Sequence, residues 1–244
     1  ITPLRRAEYL AHSASRRFRA REAEAMDLVR RLIDEHSYVS WSAGKDSMVV
    51  ADLCRRANPS IPVLMADPGC PVHWTEDERS AMLSYAAAHG WDIHIFNWDK
   101  ESIMAGSGSV EQKRSRIHGI MFSELTQWAD EHSLDQRFLG IRAAESRSRR
   151  LHLYGRGPAG RNKDGRRWAA PIYNWSTADV WAYILSRGLP WLSIYDRAGP
   201  EARNGLIGHS GASHGRMGWL KIHYPDVYEE AKRLAPDAVN LSSL

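Results

Sequence analysis

Cysteine is scarce: Cys54 and Cys70 are the only two in 244 residues. Their spacing suits neither a CxxC redox pair nor a zinc site, and two thiols alone cannot hold an iron–sulfur cluster. No cluster and no zinc are therefore expected. Long apolar runs are missing too, since nothing approaches the ~18 residues of a membrane span. No secretory leader pattern opens the sequence, so a reducing, cytoplasmic setting without membrane contact is the expectation. Phenylalanine is sparse at four, whereas tryptophan reaches ten. Indoles bury much area while keeping a polar edge, which suits pocket walls as well as cores.

The formal charge is only +4, at pI about 9.1, and its distribution says more than its total. Residues 142–167 hold nine Lys/Arg against two acids, and residues 1–31 hold eight against four. Polyanionic ligands are expected at the first stretch, whereas solvated helix charge accounts for the second.

Apolar spacing predicts a helix over 4–35, with Met26, Val29, Leu32 and Ile33 on one face. Short β-type runs follow at 38–41, 62–66, 91–96 and 137–140, each separated from the next by helical stretches. Such alternation predicts a parallel sheet wrapped by helices. The Gly/Arg-rich 155–167 segment reads as a mobile loop or hairpin tip with a turn at Asp164-Gly165. Ser176 to Arg187 reads as a capped helix, and another closes the chain near 224–234.

The first strand runs into Ser42-Ala43-Gly44-Lys45-Asp46-Ser47. This is not a Walker A loop, because Val39 and Asp46 stand where that motif needs Gly and Ser/Thr. A small-residue turn at a strand end nevertheless exposes backbone N–H groups and aims a helix N-terminus at an anion. Gly44 lets a phosphate approach, Ser42 and Ser47 add hydroxyls, and Lys45 adds a point charge. Asp46 repels phosphate unless a cation intervenes, which makes it the candidate for positioning Mg²⁺, directly or through water.

The string S-A-G-K-D-S resembles the PP-loop signature of the adenine nucleotide α-hydrolase-like superfamily, including the phosphoadenosine phosphosulfate (PAPS) reductase family. Three further segments are similar to that family. Asp67-Pro68-Gly69 stands where relatives have Asp-Thr-Gly. Gly140-Ile-Arg142-Ala-Ala-Glu145-Ser-Arg-Ser-Arg149 matches G-x-R-x-x-E-S-x-x-R, a pattern seen especially in DNA phosphorothioation systems. Pro171 to Trp175 and Asp179 to Ile184 match P-(I/L)-x-x-W…D-V-W-x-Y-I.

The resemblance implies an α/β, doubly wound, mostly parallel five-stranded sheet of Rossmann-like type. It divides the chain into a helical segment 1–35, a nucleotide-binding domain 36–196, and a tail or lid 197–244 with a terminal helix. It implies that ATP binds Ser42 to Ser47, the backbone at Met65 and Ala66, Asp67, Gly140, Arg142, Glu145 and Arg149. Lys45, Asp46 and Arg142 are then the catalytic set, with Arg142 at the α-phosphate.

Sulfate-reducing relatives carry a nucleophilic cysteine in a C-terminal Glu-Cys-Gly-(Leu/Ile)-His motif, and no cysteine follows Tyr195 here. The resemblance therefore implies a cluster-free ATP pyrophosphatase that uses ATP and Mg²⁺ to adenylate a DNA backbone phosphate. Its implied partners are DNA along 142–167, a cysteine desulfurase and other sulfur-modification proteins, with homo-oligomerisation left open. A sulfonucleotide reductase or sulfotransferase and a non-catalytic nucleotide sensor stay open as alternatives. The tail residues His209, His214 and His223 match no zinc spacing; His209 and Arg216 become phosphate contacts if the tail closes over the site.

Overall fold

The computed structural model describes residues 1–67, 74–97, 110–202, 218 and 220–234. The N-terminal helix is broken where its periodicity predicts continuity, into α1 (Pro3–Ser13) and α2 (Arg16–Leu32). Ser15 causes the break: its hydroxyl accepts the Phe18 N–H and starts a new helix inside the pattern.

The chain continues as β1 (Ser37–Trp41), α3 (Lys45–Ala57), β2 (Val63–Asp67), α4 (Glu76–Ala88) and β3 (Ile93–Asn97). Next come α5 (Val110–Glu131), β4 (Gln136–Leu139), a 3₁₀ turn (Ala143–Glu145) and α6 (Arg147–Arg156). The rest is β5 (Ala159–Arg161), β6 (Arg167–Ala169), α7 (Thr177–Arg187), the single turn α8 (Ile194–Arg197) and α9 (Pro225–Leu234).

The sheet has six strands in the order β3-β2-β1-β4-β6-β5, so the expected five are one short. All neighbours pair in parallel except β5 and β6, which form an antiparallel hairpin. The extra strand comes from the segment read as a mobile loop or hairpin tip, and it is a hairpin. Its turn is closed by Asn162 N–H on the Arg166 carbonyl at 2.8 Å, and Gly165 takes φ +85°. Backbone pairing fixes this hairpin, and its sequence carries no apolar alternation to announce it.

Side chains alternate across the sheet, as a period of two requires. Val39, Trp41, Val63 and Met65 join the large core with α3 and α7, whereas Tyr38 and Leu64 meet Leu125 and Ala129 of α5 on the opposite face. Val180 to Ile184 of α7 are all buried, because α1 covers α7 and α7 in turn packs on α3. A charged clamp holds that cover. Asp179 accepts the Ser176 N–H and hydroxyl as a capping box, and also takes His12 Nε2 at 2.7 Å and Arg21.

The chain leaves β1 and β4 on opposite sides of the sheet, so their carboxyl ends form the switch point where open α/β sheets bind ligands. Register places Ser40 beside Leu139, which sets the loop after Trp41 next to Gly140.

Candidate functional site

The loop 42–44 turns sharply because Ala43 takes φ +52°, a left-handed conformation uncommon for a residue with a Cβ. Ser47 closes the loop from inside. Its hydroxyl donates to the Gly44 carbonyl at 3.0 Å and accepts the Ser42 N–H at 3.1 Å. Gly44 is the N-cap of α3 and supplies no side-chain acceptor. Helix α3 thus begins without an N-cap side chain to accept its first N–H groups.

Gly140 explains how the β4 exit fits against this loop. A Cβ there would stand 2.5 Å from Ser47 N and 2.6 Å from the Asp46 carbonyl carbon. Only glycine permits that approach.

Three predicted residues converge at this point. Arg142 Nε donates to Asp46 Oδ1 at 2.6 Å, and its Nη1 donates to the Trp175 carbonyl at 3.2 Å. Lys45 Nζ lies 3.5 Å from Asp46 Oδ2. Lys45 is 5% exposed and Arg142 3%. Burial pulls the Lys45 ammonium below its usual pKa, and the Arg142 charge adds to that, while Asp46 opposes it. Two desolvated cations and one carboxylate form a compact group in which an incoming anion would find strong, unscreened charge.

Glu145 and Arg149 stand beside this group and form more than a surface pair. Glu145 Oε2 accepts the Arg142 backbone N–H at 2.6 Å and also pairs with Arg149. Glu145 therefore fixes the backbone from which Arg142 projects. Met65 and Ala66 lie at the carboxyl end of β2, one strand away. Asp67 is buried and committed elsewhere: it accepts Arg79 Nε at 2.7 Å and Trp74 Nε1 at 3.2 Å. Its visible role is to anchor α4 to β2.

The other sequence candidates lie apart. Cys54 is fully buried in the core, where burial raises its thiol well above the ordinary range. Pro68, Gly69, Cys70, His209, His214 and Arg216 lie outside the described residues. His223 contributes its carbonyl to Arg197. No group of three or more potential metal ligands occurs among the described residues.

Several site residues escape sequence reasoning. The Tyr195 hydroxyl accepts the Lys45 N–H at 3.0 Å, and the Lys45 ammonium sits 4.9 Å from that ring. Burial raises the Tyr195 hydroxyl above its usual pKa and keeps it neutral. The Ala202 carbonyl accepts Lys45 Nζ at 2.9 Å. Thr177 and Glu201 complete the wall of a small polar cavity with Lys45, Arg142, Ala144 and Glu145. These contacts join positions some 150 residues apart, and no local pattern announces them.

A sequence profile of the phosphoadenosine phosphosulfate reductase domain matches residues 36–201. The chain belongs to this family. The match covers the sheet, the loop after β1 and the 140–149 segment, and it ends on Glu201 in the cavity wall. Curated relatives include sulfate adenylyltransferase subunit 2 of Geobacter metallireducens, 27% identical over 201 residues, and that of Acinetobacter baumannii strain AYE, 26% over 202. Each alignment covers 71% of this chain and 65% of the relative, so the chain spans just under two thirds of those relatives' length. Among solved structures, the PAPS reductase of Candida auris in a phosphate complex aligns with TM-score 0.55 and 17% identity, over 71% of this chain and 84% of its own. The NH3-dependent NAD synthetase of Campylobacter jejuni aligns with TM-score 0.52 and 14% identity over 93% of both chains. These likenesses establish the fold alone, a Rossmann-like, mostly parallel α/β sheet.

No helix among the described residues is long and apolar enough to cross a membrane.

Proposed function

We propose that this chain is an ATP pyrophosphatase that adenylates an oxyanion acceptor, with a DNA backbone phosphate as that acceptor in sulfur modification. The observation that carries the reading is the convergence of Lys45, Asp46 and Arg142 on a helix N-terminus that has no N-cap side chain, at the sheet's switch point.

In the proposed reaction an acceptor oxygen attacks the α-phosphorus, and the bond from that phosphorus to the α–β bridging oxygen breaks. Pyrophosphate leaves with the electron pair, and AMP stays on the acceptor until a nucleophile, sulfur or water, displaces it. Lys45 and the α3 N–H groups hold the β- and γ-phosphates; Arg142 steadies the charge that develops at the α-phosphate. Asp46 is the carboxylate suited to Mg²⁺, which takes one or two carboxylates together with phosphate oxygens and would supply charge neutralisation there.

The basic surface beside the cavity supports a polyanionic acceptor. From Ser146 to Lys163 the sequence has six Lys/Arg and no acid. Arg147, Arg150, Arg156 and Lys163 among them are exposed, and none of the four forms an ion pair with the described residues. The relatives' name favours a second reading in which inorganic sulfate is the acceptor and adenylyl sulfate the product.

Product analysis tests both. ATP should yield AMP and pyrophosphate, and Lys45→Ala or Asp46→Ala should lower the rate by about 10²-fold or more. ADP and phosphate as products would refute α-phosphate chemistry. Stimulation of pyrophosphate release by single- or double-stranded DNA, against stimulation by sulfate, decides between the acceptors.

A further inference from the structure

Lys45 and Arg142 are the cations that a phosphate tail would meet, yet both are satisfied from within. Lys45 Nζ donates to the Ala202 carbonyl, and Arg142 donates to Asp46 and the Trp175 carbonyl. The cavity between them measures about 120 Å³, whereas pockets that enclose small organic ligands start at roughly 300 Å³. Such a space takes a few waters and is too small to enclose a nucleoside triphosphate.

The two walls of this cavity differ in how firmly they are held. Lys45 and Arg142 stand on α3 and the β4 exit, rooted in the core. Facing them is residues 198–202, a segment with no fully buried side chain. It leaves α8 at Ala198 and turns at Gly199, which takes φ +92° with open space where a Cβ would be. Among the described residues, three side-chain hydrogen bonds hold it down. Trp181 Nε1 donates to the Pro200 carbonyl at 3.1 Å, Thr177 Oγ1 donates to Glu201 Oε2 at 2.6 Å, and Lys45 takes the Ala202 carbonyl.

We propose that residues 198–202 form a strap that occupies the phosphate position on Lys45, hinged at Gly199 and latched by Thr177 on Glu201, so that nucleotide binds only as the strap releases. This rests on the reading of the loop as a nucleotide phosphate site. The Ala202 carbonyl is a neutral stand-in for a phosphate oxygen, and a charged oxygen makes the stronger hydrogen bond to an ammonium. Nucleotide therefore wins the exchange when it is abundant. The Glu201 carboxylate lines the same cavity and repels phosphate while latched, so the closed strap opposes anions both sterically and electrostatically. Apparent affinity then equals intrinsic affinity reduced by the fraction of molecules with the strap open.

Titration calorimetry with pyrophosphate and with a non-hydrolysable ATP analogue tests this on the whole chain. Thr177→Val and Glu201→Gln should each bind both probes about three- to tenfold more tightly than wild type, with faster association. Hydrogen exchange across 198–202 in the wild type should rise when either probe saturates the site. Equal affinities in wild type and both variants would overturn the strap. Weaker binding by Glu201→Gln would do so as well, by making Glu201 a direct holder of ligand or cation. If neither wild type nor variant binds either probe, the nucleotide reading itself fails, a separate result.

Discussion

A methyl group on Gly140 separates the loop's position from its side chains. In Gly140→Ala the added carbon would lie 2.5 Å from Ser47 N, 2.6 Å from the Asp46 carbonyl carbon and 2.7 Å from Ser47 Cα. Ordinary contact begins at 3.4 Å, so the shortfall is about 0.9 Å (3.4 against 2.5). Every atom it meets is backbone, and no rotamer change relieves the clash; either the β4 exit or the start of α3 must shift. Overpacking of this kind costs about 1–3 kcal/mol, which lowers the melting temperature of a chain this long by about 2–12 °C. Function should suffer more than folding. A displacement near 1 Å costs about 10²-fold in turnover, because the N–H groups of α3 and the Arg142 guanidinium would no longer face one point. The assay pairs thermal unfolding with AMP and pyrophosphate formation. Gly119→Ala on the exposed face of α5 is the control, since a Cβ there meets nothing within 4 Å and should stabilise by about 0.5–1 kcal/mol. A folded Gly140→Ala protein with wild-type turnover would refute the argument that close backbone approach sets the loop.

Asp179→Ala should destabilise the fold by about 3 kcal/mol in chemical denaturation, because it strands Arg21 and His12 beside a buried helix start. Its charge also carries a pH dependence. Burial pushes the Asp179 carboxyl up, but hydrogen bonds from His12 and Ser176 and the Arg21 charge outweigh burial and leave it below its ordinary 3.8. Stability from a lowered carboxyl is complete above the unfolded pKa near 3.9 and is lost as pH falls through the folded value. Denaturation midpoints should therefore drop below about pH 4, and drop less in Asp179→Ala; equal slopes would count against the clamp. At the left-handed Ala43, substitution by Gly should leave stability within about 1 kcal/mol, whereas Val should cost about 2 kcal/mol and weaken pyrophosphate binding; calorimetry that finds Val as good as Gly would contradict the loop conformation.

The parts of the fold legible in the sequence are those written in local pattern. The alternation of Val39 and Trp41 against Tyr38 marks a strand covered on both faces, and Ser176 with Asp179 marks a helix start; both are in place. The loop 42–47 is legible for the same reason, as its chemistry lies within six consecutive residues. What was hidden depends on pairing over distance. The tip of the β5–β6 hairpin shows in Asp164-Gly165, but its place in the sheet depends on pairing of β6 with β4, and the break at Ser15 depends on a single hydroxyl inside an otherwise helical pattern. Asp67 is a ligand residue by resemblance alone, and its contacts with Arg79 and Trp74, on and beside α4, are not legible in the local pattern. Asp179 is legible as part of a capped helix start, and its larger role needs His12 and Arg21, more than 150 positions earlier.

The closed site has a reason beyond regulation. A lysine and an arginine this deeply buried cannot stand without acceptors, because an uncompensated buried charge costs several kcal/mol. A fold that places them for phosphate must supply substitutes whenever phosphate is absent, and Asp46, Trp175 and Ala202 do so here. Ligand binding is then an exchange of acceptors, and its free energy is the difference between two satisfied states. The kind of substitute matters. Asp46 and the Trp175 carbonyl belong to the frame that positions Arg142, so they stay in place through binding, whereas Ala202 sits on a turn held, among the described residues, by three side-chain hydrogen bonds. The cost of exchange therefore falls on Lys45, and differences in affinity among variants should follow the strap and not the frame.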